Sequence, residues 1–253
     1  MPSRTDPSAY DRFAWFYDRY WGSGPMSFTA RALPIVERFI LSTLQPGARI
    51  LDLCCGSGQL ADELTTRGYH ITGVDGSAHL LAYARQHAPK TEFVHADARA
   101  FTLAQVYDAA VSLYDSLNHV LELDGLRAVF RNVAAALKPD ASFLFDLNME
   151  EGFRTRWRGA FGLAESDHAL INQSSYAPDT RLAQTTATMF RLEGKSWRRS
   201  DVTLYQRCYP EDEVREALTT SEFNKIQTFD AEKDLGMQRQ TGRAFFLAIR
   251  GGV

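Results

Sequence analysis

The sequence predicts an α/β fold with a Rossmann-like, doubly wound, mostly parallel seven-stranded sheet. Two observations carry this prediction. Five short apolar runs between residues 49 and 147 alternate with segments of helical periodicity, which is the order of repeated βαβ units. The first run ends in Asp52-Leu-Cys-Cys-Gly56-Ser-Gly58, and glycines between a strand and a helix let a ligand approach the backbone closely.

Each element of this unit follows from its residue pattern. A helix over 59–67 follows the glycine turn. Ser77 is a suitable N-cap for a second helix, which stops before Pro89. A third helix is predicted from apolar residues at helical spacing between Leu126 and Leu137, and Pro139 is expected to close it. The apolar runs predict strands at 49–54, 70–74, 91–95, 107–113 and 142–147.

The chain departs from this alternation on both sides. Residues 10–21 include seven aromatic residues, and a helix over 28–44 is predicted to follow them. Residues 168–208 favour strands and predict three antiparallel strands inserted into the sheet, before a closing helix at 211–219 and strands at 223–229 and 244–250. The expected organisation is an N-terminal helical cap (1–45), a cofactor-binding Rossmann-like domain (46–150 and 211–253), and an antiparallel β insert (151–210) that forms a lid.

Composition and charge narrow the class of protein. The 253 residues are 45% apolar and 23% charged, which suits one large globular domain. A net charge of -3 argues against a sequence-independent nucleic-acid binder, which would carry a basic surplus. No apolar run approaches the roughly 20 residues that span a bilayer, and the N-terminus lacks a signal-peptide pattern. Cys54, Cys55 and Cys208 form no Cys-x-x-Cys, so we expect no zinc site. Together with the charge and the missing apolar run, this pattern predicts a cytoplasmic protein without a nucleic-acid or membrane partner.

Three consecutive predicted strands end in an aspartate, namely Asp52, Asp75 and Asp97. The carboxyl ends of parallel strands meet at one edge of the sheet, where ligands bind. A carboxylate at Asp75 can accept hydrogen bonds from both hydroxyls of a ribose, and one at Asp97 can accept from an adenine amino group. The pattern therefore indicates a cofactor that contains a nucleoside.

A dinucleotide is the alternative cofactor. Gly56-x-Gly58-x-x-Ala61 also fits a dinucleotide-binding turn, with Asp75 at about the expected distance. Asp52 counts against this alternative, because it would repel a pyrophosphate and attract a cofactor ammonium group. An NAD(P)-dependent oxidoreductase stays open as an alternative function, and so does a protein that binds its cofactor without catalysis.

As a set, five segments resemble the class I S-adenosylmethionine-dependent methyltransferases of the small-molecule type. They span residues 49–147 and read Ile50-Leu-Asp-Leu-Cys-Cys-Gly-Ser-Gly58, Thr72-Gly-Val-Asp-Gly-Ser77, His95-Ala-Asp-Ala98, Tyr107-Asp-Ala-Ala-Val-Ser112 and Leu137-Lys-Pro-Asp140. The resemblance implies S-adenosyl-L-methionine as cofactor. It places the amino-acid end at Asp52, Cys54 and Gly56, the ribose at Asp75, the nucleoside along Gly76 and Ser77, and the adenine at Asp97 and Ala98. The other residues expected at the cofactor are Tyr10, Tyr17, Gly58 and Leu113. Cys54 is a departure, since the family often has glycine there.

Methyl transfer is an in-line displacement, which requires alignment of the acceptor and removal of its proton where it carries one. The segment 113–120 would lie beside the cofactor's sulfonium. His119 is the best base candidate because its ordinary pKa lies near neutrality, although a histidine merely packed under the lid is an open alternative. Tyr17 could cover the sulfonium, since aromatic faces attract cations, and Tyr114 could orient the acceptor.

The acceptor is expected to be a small molecule, methylated on oxygen or nitrogen without a metal ion. The lid would cover its binding site. The sequence specifies neither the acceptor nor the oligomeric state. The residues predicted to bind the acceptor are Asn118, Trp157, Trp197 and Arg207.

Overall fold

The computed structural model describes residues 8–24 and 26–252. Residues 1–7 of the predicted cap, and Pro25, lie outside the described residues. The helices are α1 (Ala9–Phe16), α2 (Thr29–Phe39), α3 (Gln59–Thr66), α4 (Ala78–His87), α5 (Leu123–Ala136), α6 (Glu150–Arg156) and α7 (Glu211–Thr219). The strands are β1 (Arg49–Leu53), β2 (His70–Asp75), β3 (Glu92–His95), β4 (Tyr107–Ser112), β5 (Leu137–Asn148), β6 (Gly159–Ala164), β7 (His168–Ala177), β8 (Leu182–Glu193), β9 (Ser196–Arg207), β10 (Phe223–Asp230) and β11 (Arg243–Arg250).

The predicted seven-stranded sheet is present, with strand order β10-β11-β5-β4-β1-β2-β3. Strands β1 to β5 pair in parallel, whereas β11 pairs antiparallel with both β5 and β10. The order reverses between β1 and β4, so a crevice opens at the carboxyl ends of these two strands. The Rossmann-like α/β fold class is confirmed.

Helices cover both faces of the sheet. Side chains alternate along each strand, so Ile50 packs with α2 and α3 on one face while Leu51 packs with α5 and α7 on the other. The two layers bury most of the large apolar side chains of β5, including Phe143 and Phe145. Each such side chain stabilises the fold by about 1.5–3 kcal/mol, and the resulting core holds the strand ends rigidly in place.

A second sheet is antiparallel, with strand order β6-β7-β8-β9. The sequence predicted three strands over residues 168–208, and β7, β8 and β9 are these three strands; a fourth strand precedes them in the insert. The additional strand is β6, whose Gly159-Ala-Phe-Gly-Leu-Ala164 carries little β-branched character and gave no strand signal. One face of the insert packs on α1, where Leu170 and Met189 contact Phe13 and Phe16. Packing against the insert therefore explains much of the aromatic density at the N-terminus.

Two predicted helix ends differ in the structure. The helix predicted over 28–44 ends at Phe39, and a short 3-10 turn follows it. Pro139 does not close α5, which ends at Ala136; it lies inside β5. The pairing of β4 with β5 is interrupted between Leu137 and Ser142, so a residue without an N–H breaks no ladder hydrogen bond there. No helix in the described part of the chain has the length and apolar character needed to cross a bilayer.

Candidate active site

A cavity of about 670 Å³ lies between the carboxyl ends of the parallel strands and the inner face of the insert. Helix α1 closes one side of it with Tyr10 and Phe13, and Tyr17, which directly follows α1, lines the same side. We divide the cavity into two halves. The strand-end half is lined by Cys54, Gly56, Asp75, Gly76, Asp97 and Ala98, and the insert half by Trp157, Phe161, Asn172, Ser174, Thr185 and Gln206.

Asp75, at the end of β2, holds the glycine turn. Its Oδ2 accepts a hydrogen bond from the Gly56 N–H at 2.9 Å, and its Oδ1 accepts one from the Ser77 N–H at 2.8 Å. Burial raises the pKa of Asp75 despite these two donors. Each carboxylate oxygen has more than one acceptor site, so Asp75 can still accept hydrogen bonds from a ligand in the strand-end half.

The other two strand-end aspartates are held differently. Asp52 is 3% exposed, and its Oδ2 has no hydrogen-bond partner among the described residues. Burial, with repulsion from Asp75, raises the pKa of Asp52 to about 8. Asp97 lines the cavity but pairs with Arg99, whose Nε lies 2.9 Å from its Oδ1, and this pairing lowers the pKa of Asp97. Asp52 therefore lies behind the lining, and Asp97 lies at its rim.

The glycines of the turn have distinct surroundings. Gly56 has φ +56°, and a Cβ there would lie 3.3 Å from the Tyr17 hydroxyl oxygen. Gly58 has φ +86°, and a Cβ there would lie 2.9 Å from the Cβ of Ala84 on α4. Gly56 thus leaves space beside the cavity, while Gly58 allows α3 and α4 to approach each other.

Ser77 and Leu113, also predicted at the cofactor, lie outside the cavity lining. Ser77 is the N-cap of α4, where its hydroxyl accepts a hydrogen bond from Leu80 N–H at 3.1 Å, and Leu113 is buried in the core. The Ser77 hydroxyl also donates to Asp11 Oδ1 at 2.6 Å. The sequence reasoning missed Asp11, which ties α1 to the N-terminus of α4, where a helix dipole favours an acid.

His119 points its Nε2 into the cavity. Its Nδ1 lies 2.8 Å from the backbone oxygen of Tyr205 on β9. Because a carbonyl can only accept, Nδ1 carries the proton and Nε2 is the free acceptor. The Tyr10 hydroxyl donates to this Nε2 at 3.0 Å, and the Gln206 amide nitrogen lies 3.3 Å from it. Burial lowers the pKa of His119, so the imidazole is neutral at pH 7.

The Tyr114 hydroxyl, predicted to orient the acceptor, is held at the N-terminus of α2. This hydroxyl accepts hydrogen bonds from the N–H groups of Phe28 and of Thr29, the latter at 2.8 Å, and contacts the Trp21 backbone oxygen at 3.2 Å. These contacts give hydrogen-bond partners to N–H groups at the N-terminus of α2, so the hydroxyl is already used in binding that helix. The aromatic ring of Tyr114 still lines the cavity.

A buried charged cluster closes the far side of the cavity. Arg243 on β11 pairs with Asp146 on β5 and with Asp115, whose Oδ1 lies 2.6 Å from Nη2. Gln206 donates to the other Asp115 oxygen at 2.6 Å. Burial raises the pKa of Asp146 to about 6, against the attraction of Arg243. The sequence does indicate this cluster, because an aspartate inside one apolar strand and an arginine at the start of another require partners when they are buried.

Of the four residues predicted to bind the acceptor, only Trp157 lines the cavity. Asn118 is buried and fully engaged, since its amide bonds the backbone of Asn148 and of Arg207. The Arg207 side chain packs over Tyr209 and donates to the Leu121 backbone oxygen. Trp197 is 52% exposed near the β8–β9 turn. Sequence position alone could not show which face of each strand turns inward.

Comparisons with known proteins show what the chain resembles. A family model described as a methyltransferase domain matches residues 50–140. The chain is 28% identical over 244 residues to a putative methyltransferase, YqeM, of Bacillus subtilis, covering 94% of this chain and 96% of that protein. It is 31% identical over 164 residues to a ubiquinone biosynthesis O-methyltransferase of Xanthomonas campestris, covering 61% and 64% of the two chains.

Solved structures agree on the fold. An S-adenosylmethionine-dependent methyltransferase from Clostridium acetobutylicum superposes with a TM-score of 0.79 at 22% identity, covering 97% of this chain and all of that one. The sugar N-methyltransferase KedS8 from Streptoalloteichus superposes with a TM-score of 0.75 at 18% identity, covering 100% and 96%. The family model and the named relatives favour methyl transfer over the NAD(P)-dependent alternative. The methyltransferase domain over residues 50–140, the named relatives and the fold together support an enzyme of the class I S-adenosylmethionine-dependent methyltransferases.

Proposed function

We propose that this enzyme transfers the methyl group of S-adenosylmethionine to an oxygen or nitrogen atom of a small molecule by in-line displacement, without a metal ion. One observation carries the proposal. A single cavity joins the strand-end acid Asp75 to the unprotonated Nε2 of His119 and to the inner face of the insert. Cofactor and acceptor can therefore meet beside a neutral imidazole.

The strand-end half fits the cofactor on three grounds. The Asp75 carboxylate is fixed by two backbone N–H groups and keeps acceptor capacity for ribose hydroxyls. Gly56 leaves open the space that a Cβ would take from Tyr17. Asp52 holds a buried oxygen without a partner, and a buried carboxylate is stabilised by a nearby cation such as the cofactor's ammonium group. When bound, the cofactor supplies an electrophilic methyl group on a sulfonium.

In this proposal the base is His119. Its tautomer is fixed by the Tyr205 carbonyl, so Nε2 can take a proton from an acceptor hydroxyl or ammonium group. The Tyr10 hydroxyl donates to that nitrogen and so marks the position at which an acceptor's proton would be received. Tyr17 lies beside Gly56, where its ring can cover the cofactor, while Tyr114 holds α2 in place.

Metal-independent transfer is supported by the pairing of the cavity's acids. Asp115 and Asp146 already share Arg243. Across residues 8–24 and 26–252, no three His, Cys, Asp or Glu side chains come together as a set of metal ligands. A small-molecule acceptor is supported by relatives named for ubiquinone biosynthesis and for sugar N-methylation, and these two names leave both oxygen and nitrogen open.

We also propose the three-part organisation of cap (1–45), cofactor domain (46–150 and 211–253) and lid (151–210). It is supported by the separate antiparallel sheet and by the contact of α1 with the insert. The cytoplasmic location and the absence of nucleic-acid and membrane partners stay predictions of the sequence.

The test is a screen of fractionated metabolite extract with labelled S-adenosylmethionine, followed by mass spectrometry of the labelled product. We expect one methylated small molecule and an equal amount of S-adenosylhomocysteine. In the His119→Asn variant, kcat should fall by about 10²–10⁴-fold, while the affinity for S-adenosylhomocysteine, measured by calorimetry, should be preserved. His70→Asn is a matched control, because His70 is exposed at the start of β2.

Three outcomes would contradict the proposal. Label recovered in protein or nucleic acid would exclude a small-molecule acceptor. Unchanged kcat in His119→Asn would exclude a base at Nε2. Calorimetric binding of NADH without binding of S-adenosylhomocysteine would restore the oxidoreductase alternative.

A further inference from the structure

Arg156, at the end of α6, lines the insert half of the cavity, and no carboxylate of the described residues forms an ion pair with it. Its Nη2 donates to the side-chain oxygen of Asn148, and its buried Nε has no hydrogen-bond partner among the described residues. Among those residues Arg156 also forms no ion pair, whereas the neighbouring Arg243 is held by Asp115 and Asp146. The two acids are thus committed to one of the two guanidinium groups.

Further polar groups around this position also lack partners. Gln240 is 5% exposed, and its Oε1 is buried without a partner in the described structure. The Oδ1 of Asn172, on β7 of the insert, is likewise buried without a hydrogen-bond partner in the described structure. Both residues line the cavity. Buried polar atoms are nearly always hydrogen-bonded, so their presence in the lining of one cavity indicates a site that a polar ligand completes.

The surrounding charges leave Arg156 positive and incompletely compensated. Burial and repulsion from Arg243 lower the pKa of Arg156 to about 10, opposed by the attraction of Asp115, Asp146 and Glu232. At pH 7 the guanidinium therefore keeps its charge. A partly buried cation without a contacting counter-ion is unfavourable, and an anionic ligand would remove that penalty.

Aromatic side chains beside Arg156 define the rest of the ligand. The guanidinium carbon lies 5.5 Å from the centre of the Trp157 ring, and Trp157 and Phe161 both line the same half of the cavity. These rings can pack against an apolar or planar part of the ligand. The guanidinium suits an oxyanion, because its planar set of donors matches carboxylate and phosphate geometry.

We infer that the methyl acceptor carries an anionic oxygen group, a carboxylate or a phosphate, that binds Arg156 while its nucleophilic atom faces His119. This inference rests on the proposed function. It assigns Arg156 as the residue that selects acidic acceptors, with Gln240 and Asn172 accepting hydrogen bonds from the acceptor's own donors.

The test compares acceptor kinetics in the wild type, Arg156→Gln and Arg156→Lys, with the acceptor isolated from the extract screen. We expect an acceptor that is anionic at pH 7.5. Arg156→Gln should raise its KM by about tenfold or more, since a charge-assisted hydrogen bond is lost. Arg156→Lys keeps the charge and should recover part of the affinity. The matched control is Arg158→Gln, which removes an exposed arginine two residues along; it should change nothing.

A second measurement needs no turnover. Phenylacetate and phenyl phosphate should raise the melting temperature of the S-adenosylhomocysteine-loaded wild type more than neutral phenylacetamide does, and the more effective anion identifies the oxyanion preferred. Arg156→Gln should abolish the difference. A neutral or cationic acceptor, or an unchanged KM in Arg156→Gln, would overturn the inference while leaving methyl transfer intact. Failure of the wild type to bind S-adenosylhomocysteine would instead overturn the proposed function beneath it.

Discussion

Asp52→Asn should stabilise the protein and at the same time weaken cofactor binding. The native chain holds Asp52 at 3% exposure without a hydrogen-bond partner for Oδ2 within the described structure. Its pKa is raised from 3.8 to about 8 by burial and by Asp75. Between these two values the native state retains a proton that the unfolded chain releases, so native stability decreases as the pH rises from about 4 to about 8.

The size of the effect follows from the pKa difference. Each tenfold change in a protonation equilibrium corresponds to about 1.4 kcal/mol, so the raised pKa of Asp52 destabilises the native state by about 4 kcal/mol at pH 7. Asparagine carries no charge, so the substitution removes this pH-dependent destabilisation. Allowing for the amide's own burial, we expect a gain of about 2–4 kcal/mol, which raises the melting temperature by about 5–10 °C in a chain of this length.

Denaturant unfolding of the wild type and of Asp52→Asn at several pH values between 5 and 8 measures this effect. The difference in unfolding free energy should grow as the pH rises, and the shared contribution of Asp146, which titrates at about 6, cancels in that difference. A difference independent of pH would refute the reasoning, because Asp52 would then not titrate in this range.

Ligand binding separates the two consequences of the same substitution. By calorimetry at pH 8, Asp52→Asn should bind S-adenosylhomocysteine at least about tenfold more weakly, since an opposite charge is lost. Binding of 5′-methylthioadenosine, which lacks the amino-acid end, should be unchanged. Equal losses for both ligands would indicate a distorted turn.

Three further predictions concern the same site. Asp75→Asn should weaken S-adenosylhomocysteine binding about 10- to 100-fold by calorimetry, because an amide cannot accept from both backbone donors. Gly56→Ala should weaken it as well, since φ is +56° and Tyr17 lies in contact. The control is Gly47→Ala, at φ +80° with open space around it. It should lower the free energy of unfolding without weakening S-adenosylhomocysteine binding. Finally, kcat should fall as the pH drops below the lowered pKa of His119, because the base must be neutral; an acid limb centred above 6.5 would contradict this.

The sequence predicted the parallel sheet well because each strand carries its own signal. Apolar runs that end in Asp52, Asp75 and Asp97 specify both the strands and the edge at which they meet. The insert was predicted less completely. Strand β6 forms by pairing with β7, a non-local contact that compensates for weak local β propensity.

The cofactor side of the site was predicted more completely than the acceptor side for a related reason. Residues such as Cys54 and Gly56 are positioned by one local turn, whose spacing is visible in the sequence. The insert half is assembled from the end of α6 and from β6, β7, β8 and β9, and long-range pairing decides which side chains turn inward. Arg156 and Gln206 line the cavity for this reason, while Arg207 does not.

The contact between His119 and the insert has an evolutionary consequence. The group that orients the imidazole is the main-chain oxygen of Tyr205, a residue whose side chain is 46% exposed. Every amino acid supplies that oxygen, so substitutions at this position and its outward-facing neighbours would leave the orientation of the base intact. The lid is therefore free to diverge in sequence, and to admit new acceptors, without any matching change at the base itself.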